Sequence, residues 1–147
     1  MNALHVGFTG TQTGLNRKQQ GKLRSFLEEL NRMYKHAAPF LHHGDCIGAD
    51  ALAHRIARES GFFVIIHPPI NVYNRAFCGI AFASEKILPT KEYLERNHDI
   101  VDATEFLIAC PKGLTEEVRS GTWATVRYAR KCGKKVYIFY PDGTKGY

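Results

Sequence analysis

The chain has 147 residues, a net charge of +6, 44% hydrophobic residues and 23% charged residues. That length suits one domain, residues 1–147, with a sizeable core, and the composition excludes a disordered or low-complexity chain. No run is long and apolar enough to cross a bilayer, and no basic segment followed by an apolar stretch marks a secretory signal. Cys46, Cys78, Cys110 and Cys132 are widely spaced, which reads as reduced thiols rather than a disulfide frame or zinc site. A cytoplasmic location is expected. Cys110 and Cys132 are expected in the core. Cys46 is either a small space-filler or a functional loop residue.

The first element is a strand over about Leu4 to Thr9, followed by a loop rich in glycine and hydroxyls, Thr9-Gly-Thr-Gln-Thr-Gly14. Asn16 is placed to cap a helix running to about Tyr34, with Leu23, Phe26, Leu27, Leu30 and Tyr34 at helical spacing. A second strand over about Phe40 to His43 leads into Gly44-Asp-Cys-Ile-Gly48 and a helix from about Gly48 to Ser60. The inner face of that helix is Ala49, Leu52, Ala53, Ile56 and Ala57. Gly61 stops it. Phe62 to Ile66 is a third strand, ended by Pro68-Pro69.

Residues 70–84 read as a loop or short helix over the binding edge, and Lys86 to Leu88 as a short fourth strand. Thr90 is placed to cap a helix from about Lys91 to Asp102. Phe106 to Cys110 is an apolar fifth strand suited to a buried parallel position. Ser120-Gly-Thr122 then opens a helix from Trp123 to Cys132, with Trp123, Val126, Ala129 and Cys132 on one face. Lys135 to Tyr140 is the sixth strand, closed by Pro141-Asp-Gly143. Strands alternating with helices imply an α/β, Rossmann-like fold: a mainly parallel sheet flanked by helices on both faces.

Three strand-to-helix turns share one composition. Glycine lets an anion approach the backbone, hydroxyls add donors, and the free N–H groups of a helix N-terminus favour negative charge. In an open parallel sheet such turns all lie at the carboxyl ends of the strands, where α/β proteins bind ligands. Thr9, Gly10, Thr11, Gln12, Gly44, Asp45, Gly48, Asp50, Ser120, Gly121 and Thr122 are therefore candidate ligand-binding residues. Asp45 either joins the site or caps the second helix. Asp50 suits a ribose hydroxyl or base amine. The net charge suits nucleotides or polynucleotides without choosing between them. Part of it, Arg127, Arg130, Lys131, Lys134 and Lys135, offsets the dipole at a helix end.

At these motifs the chain resembles the SLOG superfamily, which joins the DNA-uptake protein DprA (Smf), the LOG phosphoribohydrolases and nucleotide-sensing domains of bacterial defence. The resemblance rests on Gly7-Phe-Thr-Gly-Thr11, on His43-Gly-Asp-Cys-Ile-Gly-Ala-Asp50 with Ala53-His54, on Arg96-Asn-His-Asp-Ile-Val101 and on Ser120-Gly-Thr122. It implies a Rossmann-like domain holding a nucleotide or its phosphoribosyl part, with Arg96 and Asn97 aimed at the ligand. The other reading of Arg96 is a surface arginine pairing with Glu92. Arg119 beside the helix N-terminus suits a phosphate, and Arg75 would cover one as a lid or is a solvated loop residue.

The LOG pattern Gly-Gly-x-Gly-Thr-x-x-Glu departs here. Thr125 stands at the catalytic Glu position and Val118-Arg119 replace the Gly-Gly. A threonine cannot serve as a carboxylate acid or base. The leading expectation is a module that binds a nucleotide-derived small molecule, for sensing, carrying or sequestering it. The alternatives are a nucleoside 5′-monophosphate N-glycosidase using Glu92, Glu95 or Asp99, and a DprA-like single-strand binder. No cofactor and no metal ligand set are expected: the histidines lack paired spacing, and His42 and His43 face opposite ways on a strand. Tyr73, Phe77, Ile80 and Phe82 suggest an apolar patch, hence a homo-oligomer with this segment near the contact.

Overall fold

The first helix begins where the sequence closes a reciprocal cap. In the computed structural model, which describes residues 3–34, 36–81 and 85–147, Asn16 Oδ1 accepts the Gln19 N–H at 2.9 Å and Gln19 Oε1 accepts the Asn16 N–H at 3.2 Å. This starts α1 (Arg17–Met33), which follows β1 (Leu4–Gly10). The chain continues through β2 (Pro39–His43), α2 (Ala49–Glu59) and β3 (Phe63–Ile66). Two short 3-10 turns, Val72–Asn74 and Cys78–Ala81, lead to β4 (Lys86–Ile87) and α3 (Tyr93–Asp102). Then come β5 (Phe106–Cys110), α4 (Gly121–Lys131), β6 (Lys135–Phe139) and β7 (Lys145–Gly146).

The seven strands form one sheet in the order β4-β3-β2-β1-β5-β6-β7. Every pairing is parallel except that of β6 with β7. Chain order runs outward from β1 through β2 and β3 to β4, then returns to place β5 on the other side of β1. The strand order therefore reverses between β1 and β5, and the crevice at their carboxyl ends is where such sheets hold ligands.

Two apolar clusters hold the layers together. One packs Leu23, Leu27 and Leu30 of α1 and Ala53, Ile56 and Ala57 of α2 on Val6, Phe8, Leu41, Val64 and Ile66. The other packs Val101 of α3 and Trp123, Val126 and Ala129 of α4 on Leu107, Ala109, Val136 and Ile138. A buried aliphatic side chain contributes roughly 1.5–3 kcal/mol, so these stripes account for which helix faces turn inward.

Four details differ from the sequence reading. Helix α3 starts at Tyr93 with Glu92 as N-cap. It does not start after Thr90, because Lys91 is held in a bridge with Pro69. Cys132 is exposed, since it lies past the last helical residue, where the 3.6 period no longer applies. Tyr34 is exposed for the same reason. Residues 140–144 form a hairpin turn, with Tyr140 N–H to Thr144 O at 2.9 Å, and so deliver the antiparallel β7. In the suggested apolar patch Tyr73 and Phe77 are exposed. Phe82 lies outside the described residues, and so does the side chain of Ile80. Among the described residues no helix is long and apolar enough to cross a membrane.

Candidate functional site

The loops after β1, β2 and β5 meet over the crevice in a cleft of about 570 Å3. That is within the usual range for a small-molecule site, roughly 300–1,000 Å3. Thr9, Gly10, Thr11, Gln12, Gly44, Asp50, Arg96, Asn97, Arg119, Ser120, Gly121 and Thr122 all line it.

The β5 side is a helix N-terminus. Ser120 caps α4 by accepting the Trp123 N–H at 3.2 Å. The first N–H groups of α4 have no intrahelical acceptor and carry the positive end of the dipole. A Cβ added at Gly121 would meet nothing within 4 Å, so this wall is open. Lys112 and Arg119 add positive charge, with Lys112 3.7 Å from Glu117.

The β2 side is built more tightly. Gly48 has φ +88°, and a Cβ there would overlap the Gln12 carbonyl. The Ala49 N–H also donates to Thr11 O at 3.0 Å, so the first and second loops are locked together. Arg96 of α3 enters beneath. It is buried and donates to the Gly44 carbonyl, to His67 O at 3.1 Å and to Asn97 Oδ1 at 2.8 Å. Its surface reading with Glu92 does not hold, because the guanidinium lies under the β2 loop rather than along its own helix. Among the described ion pairs it has no carboxylate partner. Its charge is thus available to an anion in the cleft.

Asp50 shares the floor. Its Oδ2 accepts the Cys46 N–H at 3.1 Å. Burial pushes its carboxyl up to about 6, while Arg96 and the loop N–H groups pull it back. The Cys46 thiol is also pushed up, mainly by burial and then by Asp50. It is therefore not a ready nucleophile.

Three candidate residues do not line the cleft. Asp45, at φ 56°, does not cap α2. Its Oδ2 takes Arg75 Nε at 2.9 Å and its Oδ1 the Cys78 N–H at 2.9 Å. Arg75 also lies over the Phe77 ring at 4.3 Å, so it stands as a strut between Asp45 and Phe77. Gly48 acts through the backbone fit described above. Glu92, Glu95 and Asp99 also lie off the cleft, and Lys91 pairs with Glu95 at 3.4 Å and Asp99 at 2.6 Å.

Sequence reasoning missed Asn74, Tyr93, Lys112 and Glu117 as lining residues. Lys112 carried a signal, since it follows β5 directly at the carboxyl edge of the sheet. Asn74 and Tyr93 had none: one comes from the irregular segment and the other from the start of a misplaced helix. Thr125 is buried, with its hydroxyl bonded to Gly121 O at 2.9 Å, so it satisfies its own helix and does not line the cleft.

No protein-family model matches the sequence, and neither does any curated protein. Solved structures do share the fold. The structural-genomics target TM1055 superposes with a TM-score of 0.59 at 18% identity, over 90% of this chain and 72% of its own. DNA processing protein A from Helicobacter pylori, described by its single-stranded DNA binding mode, gives 0.64 at 18% identity over 92% of this chain and 64% of its own. DNA processing protein A (DprA) from Streptococcus pneumoniae gives 0.66 at 17% identity over 92% and 50%. The chain thus spans about half to two thirds of the two DprA proteins. At this identity the likeness speaks for the fold: the chain has the Rossmann-like architecture of DprA, as the SLOG resemblance implies.

Proposed function

We propose that the protein binds a nucleotide-derived anionic small molecule in the β1–β5 cleft, to sense, carry or sequester it. One observation carries this reading. A helix N-terminus and a buried arginine that has no carboxylate within ion-pair distance among the described residues share one cleft of about 570 Å3. Phosphate suits the α4 end, where Gly121 and Thr122 line the cleft together with Lys112 and Arg119. Asp50 and the carboxamides of Gln12, Asn74 and Asn97 suit the hydroxyls and base edge of a nucleoside. A nucleotide panel tests this by thermal shift, because a ligand that binds only the folded state stabilises it by mass action. An absence of any shift across mono-, di-, cyclic and dinucleotides would defeat the proposal.

A second reading, nucleoside monophosphate hydrolysis, is favoured by Asp50. A cleft carboxyl held at about 6 is matched to proton transfer near neutral pH. Multiple-turnover release of free base that is lost in Asp50→Asn would establish it. Single-strand binding in the manner of the DprA neighbour needs stacking aromatics. Trp123 and Phe8 are packed in the core, which leaves Tyr93, among the described residues, as the aromatic ring open to the cleft. An oligothymidylate arm in the same panel separates the two ligand classes. We further infer that copies associate through the segment bearing the exposed Tyr73 and Phe77. A monomer mass by light scattering at micromolar concentration, unchanged by nucleotide, would refute it.

A further inference from the structure

Beside the β1–β5 cleft, the carboxyl edge of the sheet holds another cavity, of about 280 Å3. Its lining comes from four places in the chain. His67 follows β3, Leu88 and Pro89 follow β4, Lys91 precedes α3, and Arg96 and Asp99 come from successive turns of α3. Among these residues only Arg96 also lines the cleft. The backbone sets the walls. His67 N–H donates to His43 O and Leu88 N–H to Ile66 O, both at 2.9 Å. Lys91 N–H donates to Pro68 O at 3.2 Å and Lys91 O accepts the Ile70 N–H at 3.0 Å. These bonds continue the ladder past the last strand residues, so the cavity is formed before a ligand arrives.

The chemistry of the lining is mixed. Leu88 and Pro89 give an apolar wall. Two cations, Lys91 and Arg96, stand against one anion, Asp99, so the lining carries one positive charge in excess. Lys91 Nζ lies 2.6 Å from Asp99 Oδ2 and 3.4 Å from the exposed Glu95, and an ammonium has three N–H groups, so one is left over. His67 closes a row of imidazoles: its Nε2 lies 2.8 Å from His42 Nδ1, and His42 Nε2 lies 2.8 Å from His5 Nδ1. Burial holds the His67 ring down to about 4; Asp99 opposes this, while Arg96 and Lys91 add to it, so the ring is neutral at pH 7. Among the described residues no hydrogen bond engages His67 Nδ1.

We propose that this cavity binds a small monocarboxylate, its charged end held by Lys91 and His67 and its apolar body against Leu88 and Pro89. One negative charge matches the excess of the lining, whereas a phosphate dianion would exceed it beside Asp99. An acceptor at His67 Nδ1 selects the tautomer with its proton there. The row then runs one way, His5 Nδ1–H to His42 Nε2 and His42 Nδ1–H to His67 Nε2. Because Arg96 holds the Gly44 carbonyl, occupancy of this cavity also acts on the β2 loop. The inference does not rest on nucleotide binding in the cleft.

The test is an amide 1H–15N NMR titration of the full-length protein at pH 7 and constant ionic strength. The probes are benzoate, its neutral isostere benzamide, and inorganic phosphate. The expected result is saturable benzoate shifts at Leu88 and Lys91 and, through Arg96 and Gly44, at Asp45. Benzamide should bind about 10-fold more weakly, for want of the charge-assisted bonds. Lys91→Met should weaken benzoate by about 5–10-fold with an unchanged circular dichroism spectrum. Leu88→Trp should fill the cavity and abolish the shifts; should that variant not fold, Lys91→Met decides alone. Four results would overturn the proposal: no saturable benzoate shift at these amides, equal binding of benzamide, tighter binding of phosphate at the same amides, or unchanged benzoate affinity in Lys91→Met.

Discussion

The two walls of the cleft are made of the same residue types and built to different tolerances. On the β2 side, glycines, a buried arginine and two aspartates interlock. Gly48 is pressed on Gln12, Arg96 ties Gly44 to His67, and Asp45 holds Arg75 and Cys78. On the β5 side, Gly121 meets open space, Val118 is exposed, and the described ion pairs of Glu116 and Glu117, with Arg127 and Lys112, lie on the surface. One wall is preorganised, at a cost in substitution tolerance; the other is free to settle around a ligand.

The sharpest way to break this comparison is to make similar changes on both sides. Gly48→Ala forces a side chain into a positive φ and into the Gln12 carbonyl. We expect it to cost about 3–5 kcal/mol in denaturant unfolding. A loss below about 1 kcal/mol would show that the β2 wall yields.

Arg96→Gln comes next. It strips donors from the Gly44 and His67 carbonyls, for an expected loss of about 2–4 kcal/mol together with loss of anion binding. Intact anion binding in that variant would remove Arg96 from the site.

Proton linkage gives a smaller and signed test. His42 is pushed from 6.5 down to about 3, first by burial and then by His67 and His5. The unfolded state therefore binds more protons, and stability is lost as pH falls through 6.5. His42→Gln should reduce the loss between pH 6.5 and 5 by about 2 kcal/mol. Asp50 has the opposite sign. Raised from 3.8 to about 6, it contributes stability below 3.8 that is lost as pH rises to about 6. Asp50→Asn should gain on the wild type across that window by about 1–3 kcal/mol, read as a melting-temperature gap that widens with pH. A gap independent of pH would contradict the raised carboxyl.

Gly121→Asp should hardly move the unfolding midpoint, within about 0.5 kcal/mol, since its Cβ is unobstructed and acids suit a helix N-terminus. Yet it should abolish nucleotide-induced stabilisation. Unfolding of this variant on the scale of Gly48→Ala would mean that the two walls are alike.

Periodicity made most of the fold legible. Leu23, Leu27 and Leu30 declared the buried stripe of α1, Asn16 its start, and Phe106 to Cys110 a central strand. The three turns at the carboxyl edge of the sheet followed from glycine and hydroxyl content, and twelve of the fifteen candidates line the cleft. What stayed hidden depends on partners distant in sequence. Nothing near Asp45 announces Arg75 as its partner, and nothing near His43 announces His54 or Glu85. The start of α3 was misread because a local cap signal at Thr90 competed with a tertiary bridge between Pro69 and Lys91, and the bridge prevailed.

The sheet ends in two-residue strands on both sides, Lys86–Ile87 and Lys145–Gly146, each carrying a lysine. Such edges offer too few unpaired backbone groups to template another chain, and a lysine there must shed its hydration to be covered. The sheet is thus closed to growth by strand addition at both margins. The association proposed above would therefore run through side-chain faces and not through a shared ladder.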